Sequence, residues 1–414
     1  MLRLARPSLL LLAALAASAA SGCSEEYDLP ADPSAGVRYP VAMAADPSGR
    51  WLYVVGANFD RAYHGGLVRV IDTATNTYVA AQKVEVPSFA SAAVLDVEPA
   101  ADGSMRRTLL VASREDDSVT AIDVRVGADA TVAPDLDCGN GTGTLKTCAA
   151  SHRVGGDETG DLDIGEDPAA IALEQRPDGA RVLHVVATAD GQVTPLRLSF
   201  PEAGGVTALA DDQIGLGSGL AAVLHAPLVG RTYVSDARAN RLHAYDVTPG
   251  EDGALQIQTF AGVTLPSAAS TEFGRGIALS SDEGRLYVAY RNPNALLVVD
   301  VAPTPSGEPH DTLGDVIGLG GRPAQLAVAP VGPGGRDLVF VACHGTDDIW
   351  VVDPALRRVV DVIRLPHSPY AITVVDVPGK GLQLYTALFS THQVLRVPLT
   401  PGADGRFTVA ETIE

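Results

Sequence analysis

The sequence predicts an all-β fold, a seven-bladed β-propeller built from four-stranded antiparallel blades. One short apolar phrase recurs seven times, at intervals of about 50 residues. The runs are rich in Val, Leu, Ile and Tyr, and Pro, Gly and Asp separate them, which is typical of strands rather than helices. Further apolar runs precede and follow each copy, so each unit has room for four strands.

The recurring phrase is predicted to form the second strand of each blade. Its copies are WLYVVG at Trp51, TLLVAS at Thr108, VLHVVA at Val182, TYVSDA at Thr232, LYVAYR at Leu286, LVFVAC at Leu338 and LYTALF at Leu384. A run of small residues that ends in a turn precedes each copy, and a third and often a fourth run follow it. Small residues suit a first strand that lies beside the crowded central channel, whereas larger apolar residues fill the space between blades.

The phrases PDGARVLHVVA, SDEGRLYVAY and NALLVVDV resemble those of the bacterial YVTN-repeat and lactonase-like seven-bladed propellers. The resemblance covers residues 37–414, which we interpret as the propeller domain. It implies a fold but no single activity, because that group includes hydrolases, redox partners and proteins without known chemistry.

Two irregularities interrupt the repeat. Residues 127–165 lengthen the interval after the second unit and are predicted to form an inserted loop, in which Cys138 and Cys148 make a local disulfide. Cys343 has no such partner and is predicted to be a buried free cysteine on a strand. The chain also begins with a first-type strand and ends with a fourth-type strand. Blade one is therefore expected to pack against blade seven without sharing a strand with it.

The N-terminus has a basic start, a short apolar run and the sequence ASG before Cys23. This resembles a bacterial lipoprotein signal, which implies that residues 1–22 are removed and that Cys23 carries lipid. Ala20 departs from the usual Leu of that family, and a plain secreted protein is the alternative. Residues 23–36 are interpreted as a polar tether. Because Ser24 rather than Asp follows the cysteine, we expect a lipid-anchored protein of the bacterial cell envelope, at the outer membrane.

A formal net charge of -20 at pH 7 argues against nucleic-acid binding, which needs a basic surface. It also disfavours docking on anionic lipids, so membrane contact is expected through the N-terminal lipid only. We expect a monomer whose partner is an envelope protein, a glycan or a small anionic ligand.

Asp72, Asp123, Asp246, Asp300 and Asp353 recur at the end of the third strand. Because the same residue occupies the same place in five blades, we interpret it as a cap for the following turn rather than as a ring of catalytic carboxylates.

Residues that depart from the repeat on one rim of the propeller are the candidate ligand-binding residues. They are Arg275, Arg291, Arg322, His344, His367 and His392. Arginine binds carboxylate or phosphate, and histidine can transfer protons near neutral pH. The alternative is ordinary surface charge, paired with neighbours such as Asp347 and Asp348.

No cofactor and no metal site are predicted, because the rim histidines lack metal-ligand spacing. Calcium is an alternative for the acidic run 155–168, which otherwise is a solvated loop. The sequence contains no G-x-S-x-G, phosphate-binding glycine loop or H-E-x-x-H motif. Three hypotheses follow: a non-catalytic binding scaffold, a lactonase-like hydrolase that uses the Arg/His rim, and a periplasmic redox accessory protein.

Overall fold

The computed structural model describes residues 29–413, except for 35, 100–104, 128–131, 142–143, 157–161, 252, 267–271, 305–309 and 403. The described residues form seven antiparallel blades around a central channel, which confirms the predicted fold class. The only helix in these ranges is a 3-10 turn at Ala150–His152. No helix within them is long and apolar enough to cross a membrane. The predicted signal segment and Cys23 lie outside the described residues.

The strands of the first three blades run outward from the channel in chain order. Blade one contains β1 (Pro40–Ala45), β2 (Trp51–Gly56), β3 (Gly66–Asp72) and β4 (Thr77–Val86). Blade two contains β5 (Ala90–Pro99), β6 (Met105–Ser113), β7 (Ser118–Arg125), β8 (Asp135–Asp137) and β11 (Arg153–Gly155). Blade three contains β12 (Pro168–Gln175), β13 (Arg181–Ala187), β14 (Gln192–Ser199), β15 (Thr207–Ala210) and β16 (Ile214–Gly215).

The other four blades are regular and four-stranded. Blade four contains β17 (Leu220–Ala226), β18 (Arg231–Asp236), β19 (Arg241–Pro249) and β20 (Leu255–Thr264). Blade five contains β21 (Gly274–Leu279), β22 (Arg285–Arg291), β23 (Asn294–Asp300) and β24 (Thr312–Gly318). Blade six contains β25 (Pro323–Ala329), β26 (Leu338–Cys343), β27 (Asp348–Asp353) and β28 (Arg358–Arg364). Blade seven contains β29 (Pro369–Val377), β30 (Gly381–Leu388), β31 (Gln393–Pro398) and β32 (Glu411–Ile413).

The segment 127–165 supplies the outer edge of blade two. Two short pieces of it, β8 and β11, both pair with β7. Between them lie β9 (Gly139–Asn140) and β10 (Leu145–Cys148), and β10 pairs in parallel with β4 of blade one. Cys138 and Cys148 form the predicted disulfide, and Cys343 is free and buried on β26, as expected.

The core consists of seven apolar clusters, and each lies between two neighbouring blades. The second strands are buried along their whole length in blades one, three, four and six. These strands carry the largest buried side chains, such as Trp51, Tyr233 and Phe340. Their apolar side chains therefore alternate between the clusters on the two faces of a blade.

Blade one closes the circle by packing on blade seven, as the sequence predicts. The cluster between them includes Leu52 and Val54 from β2 and Val375 from β29. No strand is shared, since blade seven contains only β29 to β32 in the described part of the chain. A buried polar link supplements the apolar contact: the Tyr385 hydroxyl donates to Asn76 Oδ1 at 3.0 Å, and Asn76 Nδ2 donates to Glu411 at 2.6 Å.

The third-strand aspartates only partly behave as predicted. Asp72, Asp300 and Asp353 each accept a backbone N–H of the following turn, which confirms the capping interpretation for them. Asp246 accepts the N–H of the adjacent Val247, and no bond to a later residue of the turn is found among the described residues. For Asp123 the interpretation is wrong, because it accepts the distant Gly205 N–H and contacts His152, which the segment after β10 brings to it.

Part of the predicted tether lies against blade one. Lys83 Nζ donates to the Ser34 carbonyl at 2.8 Å, and Arg69 donates to the carbonyls of Ser34 and Gly36. Asp32 is buried as well. The described residues 29–34 and Gly36 thus extend the folded surface of blade one.

Replacing Tyr385 by Phe should weaken closure of the propeller. It removes the donor to Asn76 Oδ1 inside the junction, so we expect the free energy of unfolding in urea to fall by about 1–2 kcal/mol. Tyr53→Phe is the matched control, because the buried Tyr53 hydroxyl has no hydrogen-bond partner among the described residues. An equal loss in both variants would contradict a specific role for the Tyr385–Asn76 bond.

Candidate functional site

A funnel-shaped cavity of ≈ 690 Å³ lies at the end of the channel where the first strands begin. All seven blades contribute to its wall. Cavities of about 300–1,000 Å³ suit small-molecule ligands. Most of the wall comes from two positions that recur in every blade.

The first of these is a β-bulge at the start of each first strand. In every blade the register with the second strand shifts directly after the first paired residue. A bulge redirects the extra side chain, here into the funnel. The residues at this bulge position are Val41, Ser91, Ala169, Ala221, Arg275, Ala324 and Tyr370. Blades five and seven therefore replace small residues with a cation and an aromatic ring.

The second position lies at the end of each second strand. It follows the residue that pairs with the start of the first strand, and we call it the strand-end position. Its occupants are Ala57, Arg114, Thr188, Ala237, Arg291, His344 and Phe389. In six blades its backbone N–H donates to the carbonyl of the residue before the first strand, at 2.8–3.2 Å, as Arg291 does to Phe273. The same backbone bond thus presents side chains of different chemistry, from alanine to arginine and histidine, at one position of six blades.

Arg275 enters the funnel from the bulge position of blade five. Its Nε is buried without a hydrogen-bond partner among the described residues. Burial lowers the pKa of the guanidinium, while Glu272 and Tyr370 oppose that effect. Because the Nε itself is buried, an anion in the funnel would interact with the rest of the guanidinium.

Arg291 and Arg322 share one carboxylate beside Arg275. Arg291 Nη1 donates to Glu272 Oε2 at 3.1 Å, and Arg322 Nη2 lies 3.5 Å from Glu272 Oε1. Arg291 Nε also donates to the Pro323 carbonyl at 2.9 Å, which holds this guanidinium in place. Since one carboxylate faces two arginines, this side of the funnel keeps a positive charge.

His344 contributes an imidazole to the same side of the funnel. Its Nδ1 is buried without a hydrogen-bond partner in the described ranges. Burial lowers the pKa of His344, and the charges of Arg291 and Arg322 lower it further, although a hydrogen bond with the Pro369 backbone opposes them. The ring is therefore neutral at pH 7 and could accept a proton.

An aromatic wall faces the basic side of the funnel, which Arg275, Arg291 and His344 form. It consists of Phe59, Phe89, Tyr370 and Phe389, which come from blades one, two and seven. The Phe59 ring lies 5.7 Å from that of Phe89 and 5.4 Å from that of Phe389. Phe59 is 57% exposed and Tyr370 is 38% exposed, so these rings present apolar surface to the funnel.

Two further arginines complete the wall. Arg114 is neutralised by Asp167, with Arg114 Nη2 2.7 Å from Asp167 Oδ2. Arg238 lines the funnel from blade four and is exposed. Four arginines and one glutamate thus line a cavity in a protein whose formal charge is -20.

The structure brings together only part of the predicted rim set. Arg275, Arg291 and His344 line the funnel, and Arg322 joins them through Glu272. His367 is exposed and does not line it. His392 lines a separate depression of ≈ 510 Å³ with Arg38, where its Nδ1 accepts the Tyr39 N–H at 3.0 Å. His392 is therefore held by blade one rather than directed into the funnel.

Sequence reasoning missed the aromatic wall and two arginines. Of the predicted residues, Arg291 and His344 occupy the strand-end position, and the same position of the repeat also contains Arg114 and Phe389. The repeat alignment therefore carried a signal for both of these residues. Phe59, Phe89 and Arg238 lie beside the recurring positions and leave no comparable signal.

The side chains that could bind a metal ion lie outside the funnel. The acidic run 155–168 lies partly outside the described residues, so calcium binding there stays a prediction. Within the described ranges, one group of three side chains has metal-ligand character: Glu174, His184 and His225, between blades three and four.

No protein-family model and no curated protein match this chain. Solved structures do match its fold. A candidate 6-phosphogluconolactonase from Bacteroides uniformis shares 16% identity at a TM-score of 0.58, over 82% of this chain and 89% of that one. The periplasmic gluconolactonase PpgL of Pseudomonas aeruginosa shares 18% at 0.54, over 80% and 87%. Hydrazine synthase of Kuenenia stuttgartiensis shares 14% at 0.55, over 91% and 99%. At these identities the likeness shows the fold alone.

The imidazole of His344 should titrate below its usual pKa of about 6.5. Replacing Arg322 by Gln removes a nearby positive charge, so we expect the pKa of His344 to rise, as followed by NMR titration. Arg358→Gln on the outer strand of blade six removes the same charge away from the funnel and should leave that pKa unchanged. A lower pKa in the Arg322 variant would contradict the arrangement.

Proposed function

We propose that the funnel binds a small organic anion that carries an apolar or ring-shaped body, and that the protein is a binding component rather than an enzyme. The observation that carries this proposal is the charge of the funnel wall, where Arg238, Arg275 and Arg291 stand against one carboxylate, Glu272. A carboxylate, sulfonate or phosphate would balance this positive charge. Charge-assisted bonds of this kind are stronger than neutral ones.

The two sides of the funnel support an amphipathic ligand. Arg275 and Arg291 would hold the anionic group, and the aromatic wall would contact the body of the ligand. Aromatic side chains bind rings and the apolar faces of sugars through burial of apolar area. Aryl carboxylates and acidic sugars both meet this description, so a glycan with a terminal uronate is included. A protein partner would need to present an acidic residue beside an apolar one.

A lactonase-like hydrolase is the second candidate function. Neutral His344 beside Arg291 favours it, since a lactone carbonyl needs a base to activate water and a cation to stabilise the oxyanion. The names of two structurally similar proteins point the same way. Ser91 is a poor nucleophile, because its hydroxyl donates to the Pro168 carbonyl at 2.6 Å. A periplasmic redox accessory role has only the shared fold in its support.

The proposed location is the cell envelope, at the outer membrane, with a lipid on Cys23. The N-terminal signal pattern supports it. In a bacterial host, the full chain should incorporate labelled palmitate and sediment with membranes, whereas Cys23→Ser should do neither. Cys343→Ser is the matched control and should keep the label. A soluble, unlabelled wild-type protein would instead indicate plain secretion.

Binding of phenylacetate, glucuronate and benzenesulfonate should depend on Arg275. We expect Arg275→Gln to weaken the tightest of them at least tenfold in isothermal titration calorimetry, because a charge-assisted bond contributes about 1.5–3 kcal/mol. Arg358→Gln removes one positive charge from an exposed outer strand and should bind like wild type.

Three results would overturn the binding proposal. The first is wild-type affinity in Arg275→Gln, and the second is no binding of any of these anions to the wild-type protein. The third is turnover of a lactone panel that His344→Gln abolishes, which would establish the hydrolase in its place.

A further inference from the structure

A group of three ligand-type side chains lies between blades three and four, away from the funnel. Glu174 is the last but one residue of β12, and His225 is the last but one of β17. The funnel residues Ala169 and Ala221 are second in the same strands. The group therefore occupies the opposite end of the inner strands, and it is independent of the proposed anion site.

The three side chains are already close to a metal-binding geometry. One ligand atom of each lies within 4.8 Å of the other two. Glu174 Oε2 is 3.2 Å from His184 Nε2, and the rings of His184 and His225 stack at 5.9 Å with an interplanar angle of 8°. Tetrahedral zinc holds nitrogen and oxygen ligands at about 2.0–2.2 Å. Closure onto an ion thus needs only small side-chain movements.

Neighbouring hydroxyls orient both imidazoles. The Tyr245 hydroxyl lies 2.7 Å from His184 Nδ1. Thr232 Oγ1 lies 3.1 Å from His225 Nδ1 and 3.5 Å from His184 Nε2, between the two rings. Arg176 Nε donates to Glu174 Oε1 at 2.7 Å and Arg176 Nη2 lies 3.4 Å from Oε2, which holds the carboxylate with Oε2 toward His184. In metal sites, partners of this kind fix the orientation of the ligands.

We propose that Glu174, His184 and His225 bind one divalent transition metal ion of the zinc type, which joins blade three to blade four. Two histidines and one carboxylate are a known zinc ligand set. Binding requires His184 to keep its proton on Nδ1, donated to the Tyr245 oxygen, so that the Nε2 lone pair faces the ion. Thr232 Oγ1 or a water would complete four ligands.

Zinc titration of the chelator-treated, untagged protein tests this site. We expect uptake of one equivalent of Zn²⁺ with micromolar or tighter affinity, and a Co²⁺ complex with the visible absorption of a four-coordinate ion. His225→Gln and Glu174→Gln should each weaken Zn²⁺ binding at least about 100-fold. His367→Gln, which changes an exposed histidine, is the control and should bind like wild type.

Thermal unfolding supplies the second measurement. Zn²⁺ should raise the midpoint of the wild-type and His367→Gln proteins and leave that of the two ligand variants unchanged. No Zn²⁺ uptake by the wild-type protein, or wild-type uptake by His225→Gln, would overturn the proposal. Because His225 is only partly buried, that variant should fold, and Glu174→Gln provides an independent check.

Discussion

Apolar contact between neighbouring blades is the interaction on which the rest of this structure depends. Each blade has two apolar faces and can bury both only between two other blades. Seven clusters of buried side chains meet this need, and the cluster between blades seven and one completes the circle. The chain achieves closure without exchanging a strand in the described ranges, so apolar packing and polar contacts such as the Tyr385–Asn76 bond join its first and last blades.

Because this packing involves the faces of the blades, the residues at the strand ends beside the channel can bind a ligand instead. Packing of the faces fixes the position of each second strand, and one repeated backbone bond fixes the direction of the residue that follows it. The bulge at each first strand does the same for one more side chain. Small residues at most of these positions keep the funnel open. Arg275, Arg291 and His344 on one side and Tyr370 and Phe389 on the other make it amphipathic.

The repeated phrases were sufficient to predict the blade number and several funnel residues. The spacing of Cys138 and Cys148 was sufficient to predict the disulfide, because it too depends on local sequence. The aromatic wall could not be predicted in this way: Phe59 and Phe389 lie 330 positions apart and meet only because the propeller closes. The β-bulges could not be predicted either, because a shift in the pairing of two strands leaves no characteristic residue type in the sequence. His184 and His225 lie inside apolar runs. Strand pairing within blade three brings His184 to Glu174, and the packing of blade four on blade three adds His225.

The central claim is that two recurring positions in each blade, the bulge and the strand-end position, build an anion site beside an aromatic wall. A crystal structure of the protein with phenylacetate tests it most directly. The account predicts the carboxylate within about 3 Å of a guanidinium nitrogen of Arg275, with the phenyl ring against Phe389 and Tyr370. Phenylacetate bound outside the funnel, or with its carboxylate turned away from Arg275, would contradict it.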